Sequence, residues 1–172
     1  MVFWIIYDGI NNLEKNDSLY KEANRAFLKS NFKKSYKIYK DIYETEKIEN
    51  LFALEGMARS LTRLERYNEA EKLFLEVIKK DDKFFLAYAN LGILYDTIGK
   101  HDKALYYYKI TIINEDKIVR GMSWFNRFLR NIQFKPSTIL ERHNYLQQKL
   151  LNNDKGELRL DKIDKIQPDF EM

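Results

Sequence analysis

Apolar residues recur three and four positions apart along most of this chain, in short stretches of similar length. Leu73, Val77 and Ile78 make one such set, and Leu91, Leu94 and Tyr95 make another. The spacing predicts helices over about 17–29, 33–46, 51–63, 67–80, 85–97 and 101–113. Two kinds of break separate them. Asn31-Phe32 and Gly99-Lys100 read as tight turns within a pair of helices, whereas Asp81-Asp82 and Asn114-Glu115-Asp116 read as links between pairs. After Lys117 the pattern frays. Residues 118–131 keep a helical face with Met122, Phe125, Phe128 and Leu129. Pro136-Ser137-Thr138 then opens a further helix to about Leu151, with Leu140, Tyr145 or Leu146, and Leu150 expected inward and Glu141 near its positive dipole end.

The pairs are copies of one pattern. In 85–117, Leu91-Gly92, Tyr95, Gly99, Ala104, Tyr108 and Asp116 have the spacing of two short antiparallel helices in close contact. Gly92 and Ala104 allow the approach, Tyr95 and Tyr108 fill the volume beside them, and Gly99 turns the chain. A shift of 34 residues brings Met57-Ala58, Leu61, Ala70 and Phe74 onto these places, with Glu65 at the turn glycine. A further shift of 35 brings Ala23, Ala26, Ser35 and Tyr39. Phe32, Tyr67 and His101 also correspond, at the starts of the second helices.

The 85–117 pattern resembles the tetratricopeptide repeat (TPR), a helical hairpin of roughly 34 residues with a Leu-Gly, an aromatic, a Gly, an Ala and an aromatic in that order. The resemblance implies an all-α fold, a right-handed superhelical solenoid of antiparallel helix pairs. Its units would be 16–50, 51–84 and 85–117, followed by a degenerate pair of capping helices at 118–153. An apolar segment at 1–15 is expected to pack on the first unit. The tail 154–172 carries four basic and six acidic residues, which leaves about +6 on the remainder of a chain with a net charge of +4.

Composition narrows the function classes. With 45% hydrophobic and 33% charged residues the chain is expected to be globular, and without cysteine it has no disulfide or thiolate chemistry. The modest positive charge, with basic residues dispersed, disfavours nucleic acid. Met1–Tyr7 is apolar but far short of the about 20 residues that cross a bilayer, and it lacks the charge and cleavage pattern of a signal peptide. The expectation is a cytoplasmic protein with no membrane span. No phosphate-binding glycine loop, nucleophile elbow or zinc-binding His-Glu motif is present, and His101 and His143 fall in different units. The expectation is therefore no enzyme, no metal and no cofactor.

What the resemblance does imply is a concave groove lined by the first helix of each pair. Its positions fall on Tyr20, Asn24 and Phe27, then Glu55, Arg59 and Arg63, then Leu86, Asn90 and Ile93, and finally Arg120, Trp124 and Arg127. Asparagine amides and arginine forks suit an extended peptide, especially one with an acidic group or a C-terminal carboxylate. The expected role is a scaffold or adaptor that binds a protein segment there. The match to the TPR subfamily that clamps chaperone C-termini is partial. Asn24 fits that clamp, but Tyr20, Gly56 and Leu86 stand where it needs a lysine, an asparagine and a cation. Three alternatives stay open: the arginines pair with Glu55 or Glu65 as a solvated face, apolar terminal surfaces join copies into a homo-oligomer, or, less favoured, the aromatics interleaved with arginine at Trp124–Arg130 bind RNA.

Overall fold

The computed structural model describes residues 18–45, 50–114 and 138–152, and among them the secondary structure is entirely helical. The helices are α1 (18–28), α2 (Phe32–Thr45), α3 (Leu51–Arg63), α4 (Tyr67–Lys80), α5 (Phe85–Thr97), α6 (His101–Ile113) and α7 (Ile139–Leu151). Four of the six helices expected up to residue 113 keep their predicted bounds, and the first two shift by one residue at their ends. The expected helix at 118–131, the segment 1–15 and the tail 154–172 lie outside the described residues. Among the described residues no helix is long and apolar enough to cross a membrane. The chain divides into two compact units, residues 1–77 and 78–172, and the division falls within α4.

One local device repeats three times. The turns after α1, α3 and α5 each place one residue in the left-handed region: Ser30 (φ 57°), Glu65 (φ 60°) and Gly99 (φ 76°). In each, the following amide reaches back to a carbonyl five residues earlier. Asn31 donates to Ala26 (2.9 Å), Arg66 to Leu61 (2.9 Å) and Lys100 to Tyr95 (2.8 Å). This bond gives a donor to a carbonyl in the last turn of the helix, where the regular ladder runs out. The turn is thus dictated by backbone geometry at all three positions, although only the third has the glycine that suits it.

In the first unit α2 packs on α3. Only one stripe of α2 is buried, namely Ser35, Ile38, Tyr39 and Ile42. By contrast, α3 is buried on every side from Ala53 to Thr62. Small residues allow this. The Ser60 hydroxyl donates to the Gly56 carbonyl at 2.9 Å and lies 3.2 Å from Ser35 Oγ. The Tyr39 ring lies flat against Gly56, where a Cβ would stand 2.6 Å from ring carbons. Gly56 thus gives this unit a close approach beside Met57-Ala58, where the 34-residue shift puts the Leu-Gly place; Met57 and Ala58 are buried next to it.

In the second unit α5 packs on α6, and α6 on α7. Here the expected glycine is the one used. A Cβ on Gly92 would stand 2.7 Å from the Tyr108 ring, so the glycine makes room for an aromatic ring. Ala104 and Tyr108 are fully buried beside it. Of the neighbouring tyrosines, Tyr106 is exposed, while Tyr107 stacks on Tyr95 with ring centroids 5.4 Å apart.

The last helix departs from expectation in its inward face. Ile139, Arg142 and Leu146 are buried, whereas Leu140 is exposed and Leu150 only half-buried. The physical reason is a charge. Arg142 turns inward to a buried carboxylate, and that rotation carries Leu140 toward solvent. Glu141 acts as a capping partner: its carboxylate accepts from the Thr138 amide (2.7 Å), while its own amide donates to Thr138 Oγ1 (3.1 Å).

Candidate functional site

Of the groove positions expected on α1 and α3, Tyr20, Asn24, Phe27, Glu55 and Arg59 come together around one buried ion pair. Arg59 Nε donates to Glu55 Oε2 at 3.0 Å, one helical turn away, and both side chains are within 1% of full burial. Because α3 has no solvent face over this stretch, the two charges must satisfy each other there. Arg59 Nη2 also lies 3.3 Å from the Tyr39 hydroxyl and 3.5 Å from Asn24 Oδ1. The Tyr39 hydroxyl in turn donates to Asn24 Oδ1 at 2.6 Å. Beneath the guanidinium sits the Phe27 ring, with its centroid 5.1 Å away. Tyr20 completes the set, tilted against Tyr39 at 6.1 Å.

Chemically this is a fixed polar cluster whose charges are matched inside the unit. Tyr20, Asn24 and Arg63 are partly exposed, while Phe27, Glu55 and Arg59 are buried. On α5, Asn90 and Ile93 are buried and Leu86 is partly exposed. Arg120, Trp124 and Arg127 lie outside the described residues. The sequence flagged Tyr39 as a core aromatic by its repeat position but did not show that its hydroxyl joins Asn24 to Arg59.

A second cluster, in the other unit, was not anticipated. Asp96, near the end of α5, accepts a fork from Arg142 of α7, Nε to Oδ2 at 2.6 Å and Nη2 to Oδ1 at 2.9 Å. The Tyr108 hydroxyl donates to Oδ2 at 3.0 Å, and His101 Nδ1 lies 3.2 Å from Oδ1. Thus His101 opens α6, as its register suggests, but makes a polar contact where Phe32 packs edge-on against Phe27 at 5.2 Å. Two signals were present in the sequence. Asp96 occupies the register of Phe27, and Arg142 stands between Ile139 and Leu146 on an apolar stripe. His143, on α7, lies beside Asn144 at 3.3 Å. Among the described residues no group of three or more His, Cys, Asp or Glu is arranged to hold a metal ion.

At the surface, carboxylates pair with cations. Arg66 forks onto Glu69 at 2.7 and 2.6 Å, and its hydrogen bond holds the Glu69 carboxyl below its ordinary value. Lys34 pairs with Glu22 at 2.7 Å, with the same effect on Glu22.

Comparison with known proteins places one repeat directly. A family model for the tetratricopeptide repeat matches residues 73–106, from within α4, through α5, to the first half of α6. The window contains Leu91-Gly92, Tyr95, Gly99 and Ala104. No curated protein matches the chain.

Proposed function

We propose that this chain, a tetratricopeptide-repeat protein, is a non-catalytic interaction module that holds an extended segment of a protein partner on the first helices of its hairpins. The observation that carries this reading is the family match across α5 and its flanking helices. On this reading the hairpins stack as a solenoid with unit boundaries near 50, 84 and 117, and the partner lies along the concave side. The polar cluster on α1 and α3 refines the chemistry. Since Arg59 is matched by Glu55, it positions Tyr39 and Asn24 rather than attracting a distant anion. The cation offered to an acidic group or C-terminal carboxylate on α3 is then Arg63, which is partly exposed. Tyr20 and Asn24 supply the apolar wall and the amide. Arg120, Trp124 and Arg127 take the corresponding part in the degenerate fourth pair.

The test is affinity capture with the full chain, followed by comparison with Arg63→Glu and, separately, with Arg120→Glu/Arg127→Glu, all matched for helicity by circular dichroism. Arg59→Glu is avoided because it would bury two facing carboxylates and confuse binding with folding. A partner held by the wild-type chain and lost by either variant supports the groove. A partner held equally by all three moves the site elsewhere on the molecule. Capture of the chain's own copies alone, with a mass that rises with concentration, makes it a self-assembling subunit instead.

A further inference from the structure

A second surface lies on the first unit, on a face of α1 away from the Tyr20, Asn24 and Phe27 positions. Lys21, Arg25 and Lys29 are spaced four residues apart along α1 and its first turn residue, and all three are exposed. The Lys29 amide still donates to the Arg25 carbonyl at 3.2 Å, so the helical rise continues to Lys29. Together with Glu22, Asn31 and Lys34 they line a cleft of about 500 Å³. Its lining carries Lys21, Arg25, Lys29 and Lys34 against Glu22. Residues 18–45 hold seven basic and three acidic side chains, a net +4 equal to that of the whole chain.

We infer that this cleft is a second docking site, which takes an acidic segment of a partner protein in extended conformation. Three observations select that occupant. First, four helical residues advance by about 6 Å, and two residues of an extended strand advance by about 6.6 Å. Acidic side chains at alternate positions of a strand therefore meet Lys21, Arg25 and Lys29 in register. Second, a carboxylate is built into the cleft. Glu22 is held ionised by the Lys34 hydrogen bond and charge, with Arg25 adding to it. A peptide can offer backbone N–H groups to that carboxylate, whereas a polyphosphate has no donor for it. Third, among the described residues no aromatic side chain lines the cleft, so it has no platform on which to stack a base. Its concave form likewise fits a strand better than a flat lipid surface.

The experiment uses the full chain and a fluorescent octapeptide of alternating glutamate and serine, followed by anisotropy at low and at physiological salt. Arg25→Glu/Lys29→Glu is expected to weaken binding about tenfold, as two exposed attractions become repulsions. The control Lys72→Glu/Lys109→Glu makes the same change in net charge at exposed positions on α4 and α6. It is expected to change affinity less than about twofold. Equal loss in both variants would reduce the effect to overall charge and overturn the site. A single-stranded oligothymidine of equal charge, or phosphatidylserine vesicles, that bind more tightly and are lost in the cleft variant would also overturn it, in favour of nucleic acid or membrane. Binding of the groove partner is expected to survive Arg25→Glu/Lys29→Glu, which separates this surface from the groove.

Discussion

Replacing Arg142 by methionine tests whether a buried charge, more than apolar contact, holds α7 in place. The guanidinium is 2% exposed and makes two short bonds to Asp96, which is itself 6% exposed. Methionine keeps much of the side-chain length and removes the charge. Asp96 then keeps the Tyr108 hydroxyl at 3.0 Å and His101 Nδ1 at 3.2 Å. Breaking a buried pair by removing one partner costs about 3–5 kcal/mol. Because two polar contacts remain on the carboxylate, the lower end, about 3 kcal/mol, is expected. With a urea dependence of about 1–3 kcal/mol per molar, the midpoint falls by roughly 1–3 M. The double variant Asp96→Asn/Arg142→Met removes both charges of this pair, and it is expected to lose much less than the two single variants together. Urea unfolding followed by circular dichroism, run as a double-mutant cycle, reads both numbers. A loss below about 1 kcal/mol in Arg142→Met, or strict additivity in the cycle, would refute the reasoning and leave Ile139 and Leu146 as the contacts that seat the helix.

Three further outcomes follow from geometry. Glu65 holds φ 60° where glycine would rest without strain; relief of about 1–2 kcal/mol, less the entropy glycine adds to the unfolded chain, predicts that Glu65→Gly raises stability by roughly 1 kcal/mol. Gly99→Ala at φ 76° is expected to lower it by a similar amount in thermal unfolding, and two shifts of the same sign would contradict this account. Gly56→Ala and Gly92→Ala drive a methyl to 2.6 and 2.7 Å from Tyr39 and Tyr108, at a cost of about 1–3 kcal/mol each. Combining Gly56→Ala with Tyr39→Leu should lose less than the sum, and additivity would show that the ring is not the obstacle. Glu22 and Glu69 titrate below the ordinary carboxylate range, chiefly through hydrogen bonds from Lys34 and Arg66. A depressed folded-state value means that their contribution is complete above the unfolded value and is lost as pH falls through the folded one. Carbon-detected NMR titration should show both midpoints return toward normal in Lys34→Met and Arg66→Met; unmoved midpoints would exclude these partners as the cause.

By itself the sequence determined the helices, because their signals are local. Apolar spacing, the breaks at Asn31-Phe32, Glu65 and Gly99-Lys100, and the small residues at Ser35, Ala70 and Ala104 repeat at 34 or 35 positions whatever the rest of the chain does. It also brought Asn24, Glu55 and Arg59 to notice as candidates, since repeat register is a statement about position. Register does not say which charge meets which. Only the tertiary structure decided that Arg59 faces inward to Glu55, that Tyr39 reaches across to Gly56 of the next hairpin, and that Asp96 finds Arg142 from 46 residues away. Those choices turn on the free energy of burying charge and of fitting rings against glycine. Both depend on distances between helices that lie far apart along the chain, and no periodicity in the sequence encodes them.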